Sequence, residues 1–512
     1  MKKVLSILMA VLMVASMFSV VAFAEDATEV KVMKKYAGGT SANSSSYKEG
    51  RPNKAWKVEY LCPEGRGKAI VEGINKDVES GDYAAYYIYI QGGSDKAITI
   101  SDIIGTETTP VYIEIAEGLM AAPLFASDSL ETEAPAITLE DCEYVTIKGI
   151  SAKSSLYNGI EVRNCSNVAI ENVEFKNVGY TDYEFPVKED AETGVVEYPN
   201  METANLLEKG SALLIGEGNT DITVSGCKFE NCRAGVVVDS TKLEAEEVAP
   251  AAEGEETEEP AAPVATSGVE ILNSTFTNIN EAGVILNGAD NVLVSGGKAS
   301  KVGTLAKAQN YDGTAVAVVK ANGSKDVVVE KIFSSFNETF ATFADSTGKV
   351  RYNVSDNDGE CSFGEGVLVY NNTFVNASSL EIATAYNNIF SMLIGGKVKV
   401  ADGDANCYYW TSKGKGGFKK NPKFANAFDG MTEGQDPIDN YRLSTISACL
   451  GAGVKCDEDM GTTDFYGNEI GDTINVGADQ GAGVEATREI PSDFVDFFNY
   501  IFAVIKNFLG IK

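Results

Sequence analysis

The 512-residue chain contains no histidine. That excludes a Ser-His-Asp triad, a Cys-His nucleophile pair and any His-ligated zinc or haem. Tryptophan is scarce at two residues, and proline at 13. Basic residues are the minority: 42 Lys and Arg face 74 Asp and Glu, a net charge of −32. A surface that acidic repels nucleic acid and anionic lipid, so nucleic acid is not an expected partner. There is no CxxC pair, which leaves zinc without a recognisable site. The nine cysteines are an odd number, so at least one thiol stays unpaired in a monomer, the expected state. A Cys449–Cys456 pairing is one arrangement the spacing allows. Glycine, by contrast, is abundant at 50, which favours turns and short strands over long helices.

Residues 1–24 read as an export signal. Lys2 and Lys3 precede an apolar run from Val4 to Val21, and Ala22-Phe23-Ala24 supplies a small-residue cleavage site. The mature protein is therefore expected outside the cell. Residues 25–80 read as an N-terminal cap, because a solenoid must hide the open end of its first coil.

The middle of the chain repeats. Val145-Thr-Ile-Lys-Gly149 and Val168-Ala-Ile-Glu-Asn172 align at an offset of 23, and Asn273 and Gly296 share the same offset in the turn column. Related units begin at Ile222, Val269, Val292, Val327, Val350, Val369 and Tyr386. Each holds a short alternating strand, a turn residue that is often Asn or Gly, and another strand. Those two residue types tolerate the left-handed backbone of a sharp bend. A further apolar strand stands upstream, as in Gly159–Arg163, Gly235–Asp239 and Gly283–Asn287. Three strands in about 23 residues cannot close a core alone, but stacked coils can. The expected fold is an all-β, right-handed parallel β-helix of three sheets over residues 81–486. Asn172, Asn273, Asn353, Asn371 and Asn387 form a column read as structural.

These units resemble the coils of the pectate-lyase-like right-handed parallel β-helix superfamily. The likeness extends to Gly105-Thr-Glu-Thr-Thr-Pro110 at the first coil and to Asn371-Asn-Thr-Phe374, Asn387-Asn-Ile-Phe390 and Asn421-Pro-Lys-Phe424 in later ones. The resemblance implies a polysaccharide partner, acidic polymers such as pectin among them. Lyases of this group often use Arg or Lys as base, whereas its polygalacturonases work Asp residues beside a His that this chain lacks. The resemblance therefore favours a lyase before a hydrolase. A non-catalytic carbohydrate-binding or cell-surface adhesion solenoid is the rival reading.

Two insertions interrupt the coils. Residues 177–210 are rich in aromatic and acidic side chains, while 242–267 have the composition of a self-repelling linker. After Pro491, residues 492–512 read as an amphipathic helix with a narrow polar stripe of Asp493, Asp496, Asn499, Lys506 and Asn507. Two roles stay open for it: contact with a membrane surface or cell envelope, and docking on the solenoid.

Alternation on the upstream strands sets Glu161, Arg163 and Asp239 outward, with Lys320 on the next such strand. Leu213, Ile215, Val237 and Ile285 fall outward in the same register. Glu161, Arg163, Asp239 and Lys320 are the candidate catalytic set, Arg163 and Asp239 being two coils and roughly 10 Å apart. Asp356, Asp358 and Glu360 alternate around a Gly and are the candidate ligands for Ca²⁺, an ion that hard oxygen donors suit. An ordinary polar turn is the other reading of that stretch. Trp410, beside Tyr408 and Tyr409, reads as a core side chain before a sugar platform.

Overall fold

The computed structural model describes residues 66–90, 96–115, 134–153, 157–179, 210–241, 265–303, 316–392, 396–425 and 437–486, with a few short strands beyond them. The export signal, residues 242–264 of the second insertion and the tail helix lie outside the described residues. So does most of the first insertion, apart from a short antiparallel pair of Lys188–Glu189 with Val196–Glu197.

Thirty-one strands form one continuous sheet, and strand follows strand in parallel register from coil to coil. The chain is a parallel β-helix. One face is built by Ile98–Ser101, Ile137–Glu140, Ile160–Arg163, Leu213–Ile215, Ala234–Asp239, Ala282–Asn287, Ala317–Asn322 and Ala341–Ala344. It continues into Glu360–Tyr370, Ser379–Tyr386 and Lys397–Asp404, which bend round a corner into a second face. Strands such as Glu174–Lys176, Lys228–Glu230 and Thr373–Val375 make the third.

Alternation explains the core. Inward Val, Ile and Leu from all three faces stack above their counterparts in one long buried cluster. Phe175, Phe229 and Phe276 continue the stack, with neighbouring ring centroids 4.9 Å apart. Helix Arg66–Glu79 buries Ile70, Val71, Ile74 and Val78 in the same cluster. Asn75 on that helix donates to the Asp102 carbonyl and accepts from the Ile104 amide. No helix among the described residues is long and apolar enough to cross a membrane.

The corner after the second face is left-handed in coil after coil: Gly149, Asn172, Gly226, Asn273, Gly296, Lys331, Tyr352, Asn371, Asn387 and Ala405 all have φ between 50° and 73°. Gly226 has a second reason to be glycine, since a Cβ there would meet Asn172 Oδ1 at 2.6 Å. Asn353 therefore does not belong in this column, where Tyr352 stands. It opens a second column, one residue on: Asn353, Asn372, Asn388 and Asn406, all buried. Each Nδ2 donates to the next Oδ1 at 2.9–3.1 Å, and each Oδ1 also accepts the backbone N–H of the preceding rung.

All eight described cysteines are unpaired. Cys449 packs beside Cys407, while Cys456 lies against Met460 in a different cluster, so the two do not pair. Seven of the eight are buried and serve as small apolar side chains.

Candidate functional site

The first face carries the four residues singled out by alternation, but not as one cluster. Register places Glu161 beside Leu214, then Val237, Ile285 and Lys320 on successive strands. Four strand spacings separate Glu161 from Lys320, roughly 19 Å. Lys320 instead faces Glu281 at 3.6 Å, and Glu281 also pairs with Arg233. All three side chains are largely buried. Between the two ends lies a small apolar cluster of Ala234, Val237, Ala282 and Ile285 with Leu214 against it. Leu214 is its outward residue on that strand. Leu213 and Ile215 point into the core, a correction to the expected register.

Arg163 and Asp239 end strands separated by one coil, and Gly216 follows Ile215 on the strand between. Arg163 donates from Nε to Glu161 Oε1 at 2.6 Å, and Glu161 also accepts from Asn158 Nδ2. Burial works against the charge on Arg163, but the hydrogen bond and charge of Glu161 outweigh it, and the pKa stands above the ordinary arginine value. The guanidinium is about half exposed, at 48 %. Asp239 is buried and accepts from the Thr241 N–H at 3.0 Å and from its hydroxyl at 2.6 Å.

The coil between them contributes a residue that alternation could not show. Glu217 is buried, and neither carboxylate oxygen has a hydrogen-bond partner. Burial raises its pKa, and the nearby charge of Asp239 adds to the rise. Its turn is pinned by Asn219, whose Nδ2 donates to the carbonyls of Val162, Gly216 and Glu217, while its Oδ1 accepts from the Cys165 N–H. Gly218 at φ 70° allows the reversal, and a Cβ there would meet Asn164 Oδ1 at 2.9 Å. Arg163, Glu217 and Asp239 thus sit on three successive coils at one edge of the face.

The Asp356–Glu360 stretch is placed differently. Asp358 is fully enclosed: Oδ1 accepts from Asn337 N and Nδ2, and Oδ2 from the hydroxyls of Ser334 and Ser355. Asp356 accepts from the Tyr441 hydroxyl at 2.7 Å and from Asn357 Nδ2. Glu360 is exposed at the start of the next face. A corner separates the three, and their lone pairs go to protein donors or to solvent. Among the described residues no three His, Cys, Asp or Glu are grouped to hold a metal ion.

A second concave feature lies at the last coils. An open groove of about 710 Å³ is lined by Lys397, Trp410, Ser412, Lys419, Lys420 and Asn421, with Tyr408 and Tyr409 at its base. Tyr408 and Tyr409 are buried, whereas Trp410 is 46 % exposed and does not belong to the core.

No family model matches the chain, and no curated protein does. Among solved structures, the surface adhesin PfbA of Streptococcus pneumoniae aligns at 12 % identity over 72 % of this chain and 93 % of its own, with a TM-score of 0.38. An alginate lyase from Paenibacillus sp. aligns at 10 % identity over 69 % of this chain and 97 % of its own, at 0.34. XylC in complex with xylose aligns at 10 % over 80 % and 95 %, at 0.39. Likeness at these scores carries no argument about activity.

Proposed function

We propose that this protein is an exported polysaccharide-cleaving β-helix that hydrolyses glycosidic bonds, with Glu217 as general acid and Asp239 as its carboxylate partner. The observation that carries the reading is Glu217: a buried carboxyl group without a hydrogen-bond partner, raised in pKa, beside a second carboxylate. An unpaired buried carboxyl group is costly, and a pair of carboxyl groups with different surroundings, here unpaired Glu217 and hydrogen-bonded Asp239, is the usual means of dividing acid and base roles. In this reading Glu217 gives its proton to the glycosidic oxygen as the bond to the sugar carbon breaks. Water adds to that carbon, and Asp239 takes the proton the water releases. Arg163 offers the free side of a half-exposed guanidinium to a sugar carboxylate. It is a poor base, because Glu161 holds it charged. That shifts the preference from elimination to hydrolysis.

The test uses the mature protein on a panel of pectic, alginate, xylan and arabinan polymers. Reducing ends should appear without the ultraviolet absorbance of an unsaturated uronate, and Glu217→Gln should lower the rate by about 10²-fold or more. Absorbance rising together with reducing ends would replace this reading with a lyase. A Glu217→Gln variant of full activity would remove Glu217 from the chemistry. Absence of both signals on every polymer would favour a binding or adhesion solenoid.

A further inference from the structure

We propose that the groove at the last coils is a separate binding site for an anionic polysaccharide, in which Trp410 supports a sugar ring and Lys397, Lys419 and Lys420 meet carboxylate or sulfate groups. Seven strand spacings lie between the Leu213–Ile215 strand, which leads into Glu217, and the Lys397–Asp404 strand, so the groove is roughly 34 Å along the axis from Glu217.

Charge is the first argument. The whole chain carries −32, yet residues 396–423 hold seven Lys against two Asp, a local +5. Lys399 and Lys415 are neutralised by Glu381 and Asp402. Lys397, Lys419 and Lys420, which line the groove, have no ion-pair partner among the described residues and are exposed. Three of the five remaining Lys of this segment therefore line the groove, the other two being Lys413 and Lys423.

Backbone geometry is the second. The corner after the third face is left-handed, and Asn177, Asn231, Asn278, Asn357 and Asn376 occupy it in five earlier coils, with Lys301 and Phe336 in two others. In the last coil the corner residue is Trp410, at φ 56°. Nearly half of the residue is exposed. The corner therefore presents the indole to the groove rather than to the core. Tyr409 lies edge-on to the indole at 6.1 Å and 83°. A groove of about 710 Å³ is also within the usual range of ligand sites, about 300–1,000 Å³.

A glycan fits better than nucleic acid. Duplex DNA carries a charge about every 1.7 Å and would feel the acidic body of the protein strongly. A uronate polymer carries one charge per sugar and presents apolar ring faces to an indole.

The decisive variant is Trp410→Asn, which installs the residue that five earlier coils use at this corner. Binding is read by calorimetry with polygalacturonate, neutral galactan, single-stranded DNA and phosphatidylserine vesicles. Polygalacturonate should bind, galactan weakly, and the affinity should fall with salt. Trp410→Asn should weaken binding about tenfold while the denaturation midpoint holds or rises. The Lys419→Gln, Lys420→Gln double variant should weaken binding and flatten the salt dependence. Unchanged affinity in Trp410→Asn, or DNA or vesicles bound as tightly as the glycan, would overturn the proposal. A lower midpoint in Trp410→Asn would do the same, because it would mark the indole as structural.

Discussion

Asn372 is the residue whose loss the fold should feel most for its size. Its Oδ1 accepts from Asn353 N and Nδ2, and its Nδ2 donates to Val350 O, Tyr370 O and Asn388 Oδ1. Truncation to Ala breaks all five bonds and leaves the Asn353 N–H buried without its acceptor. That orphaned donor costs about 1–3 kcal/mol, and the remaining bonds are each worth about 0.5–1 kcal/mol net. A loss of about 4 kcal/mol follows, a large share of the roughly 5–15 kcal/mol typical of a folded domain. The end rung Asn406 makes three such bonds, to Ala385 O and from Asn388 N and Nδ2. Asn406→Ala should cost roughly half to two-thirds as much. Urea unfolding followed by far-ultraviolet circular dichroism measures both, with the slope compared as well as the midpoint. A loss below about 1 kcal/mol for Asn372→Ala, or an equal loss at both rungs, would refute a cooperative ladder.

Asp356 ties stability to pH. Burial pushes its pKa up to about 7, with the Tyr441 hydroxyl opposing and Asp358 adding, against 3.8 for a free aspartate. The folded state holds the proton more tightly, so this contribution is complete below about pH 4 and is lost as pH rises through about 7. Asp356→Asn should therefore gain on the parent protein between those limits, and a pH-independent difference in urea midpoint would contradict the assignment. Thiol chemistry gives another test. Burial lifts Cys227, Cys232 and Cys361 to about 12, so they should resist alkylation at pH near 8 in the native state and react once unfolded. Prompt labelling of these three in the native protein, read by peptide mass spectrometry, would count against the packed core.

The repeat was legible because the solenoid imposes one rule on every coil: apolar side chains inward, a left-handed residue at each corner. Where a strand keeps strict alternation, as in Ile160–Arg163, the outward residues could be read directly. Leu213-Leu214-Ile215 is apolar throughout, so alternation is silent there and only pairing with Glu161 fixes Leu214 as outward. At Asn353 the apolar pattern was read one residue out of step, and this placed a ladder residue in the corner column. The geometry of the candidate cation stretch was hidden for a different reason. Spacing along the chain cannot show that a corner lies between Asp356 and Glu360, nor that Ser334, Ser355 and Asn337 saturate Asp358 from neighbouring coils.

The proposed working residues are those that break the rule of the repeat. Glu217 lies beyond the end of its strand, in a turn, so neither period nor strand face points to it. Its neighbours Arg163 and Asp239 are 54 and 22 residues away, a spacing set by an insertion. Asn219 carried a usable signal, because an Asn that closes a Gly-Glu-Gly turn fixes the carboxylate before it. Trp410 carried a stronger one. A half-exposed indole standing where five other coils use Asn, followed by Lys413, Lys415, Lys419 and Lys420 in an otherwise acidic chain, departs from the local majority and from the global charge pattern. In a repeat protein each coil specifies the same backbone, so stability alone favours the consensus residue at every position. A departure that leaves a side chain half exposed or a carboxyl unpaired gains less from packing than the consensus residue would, and function is a reason to keep it.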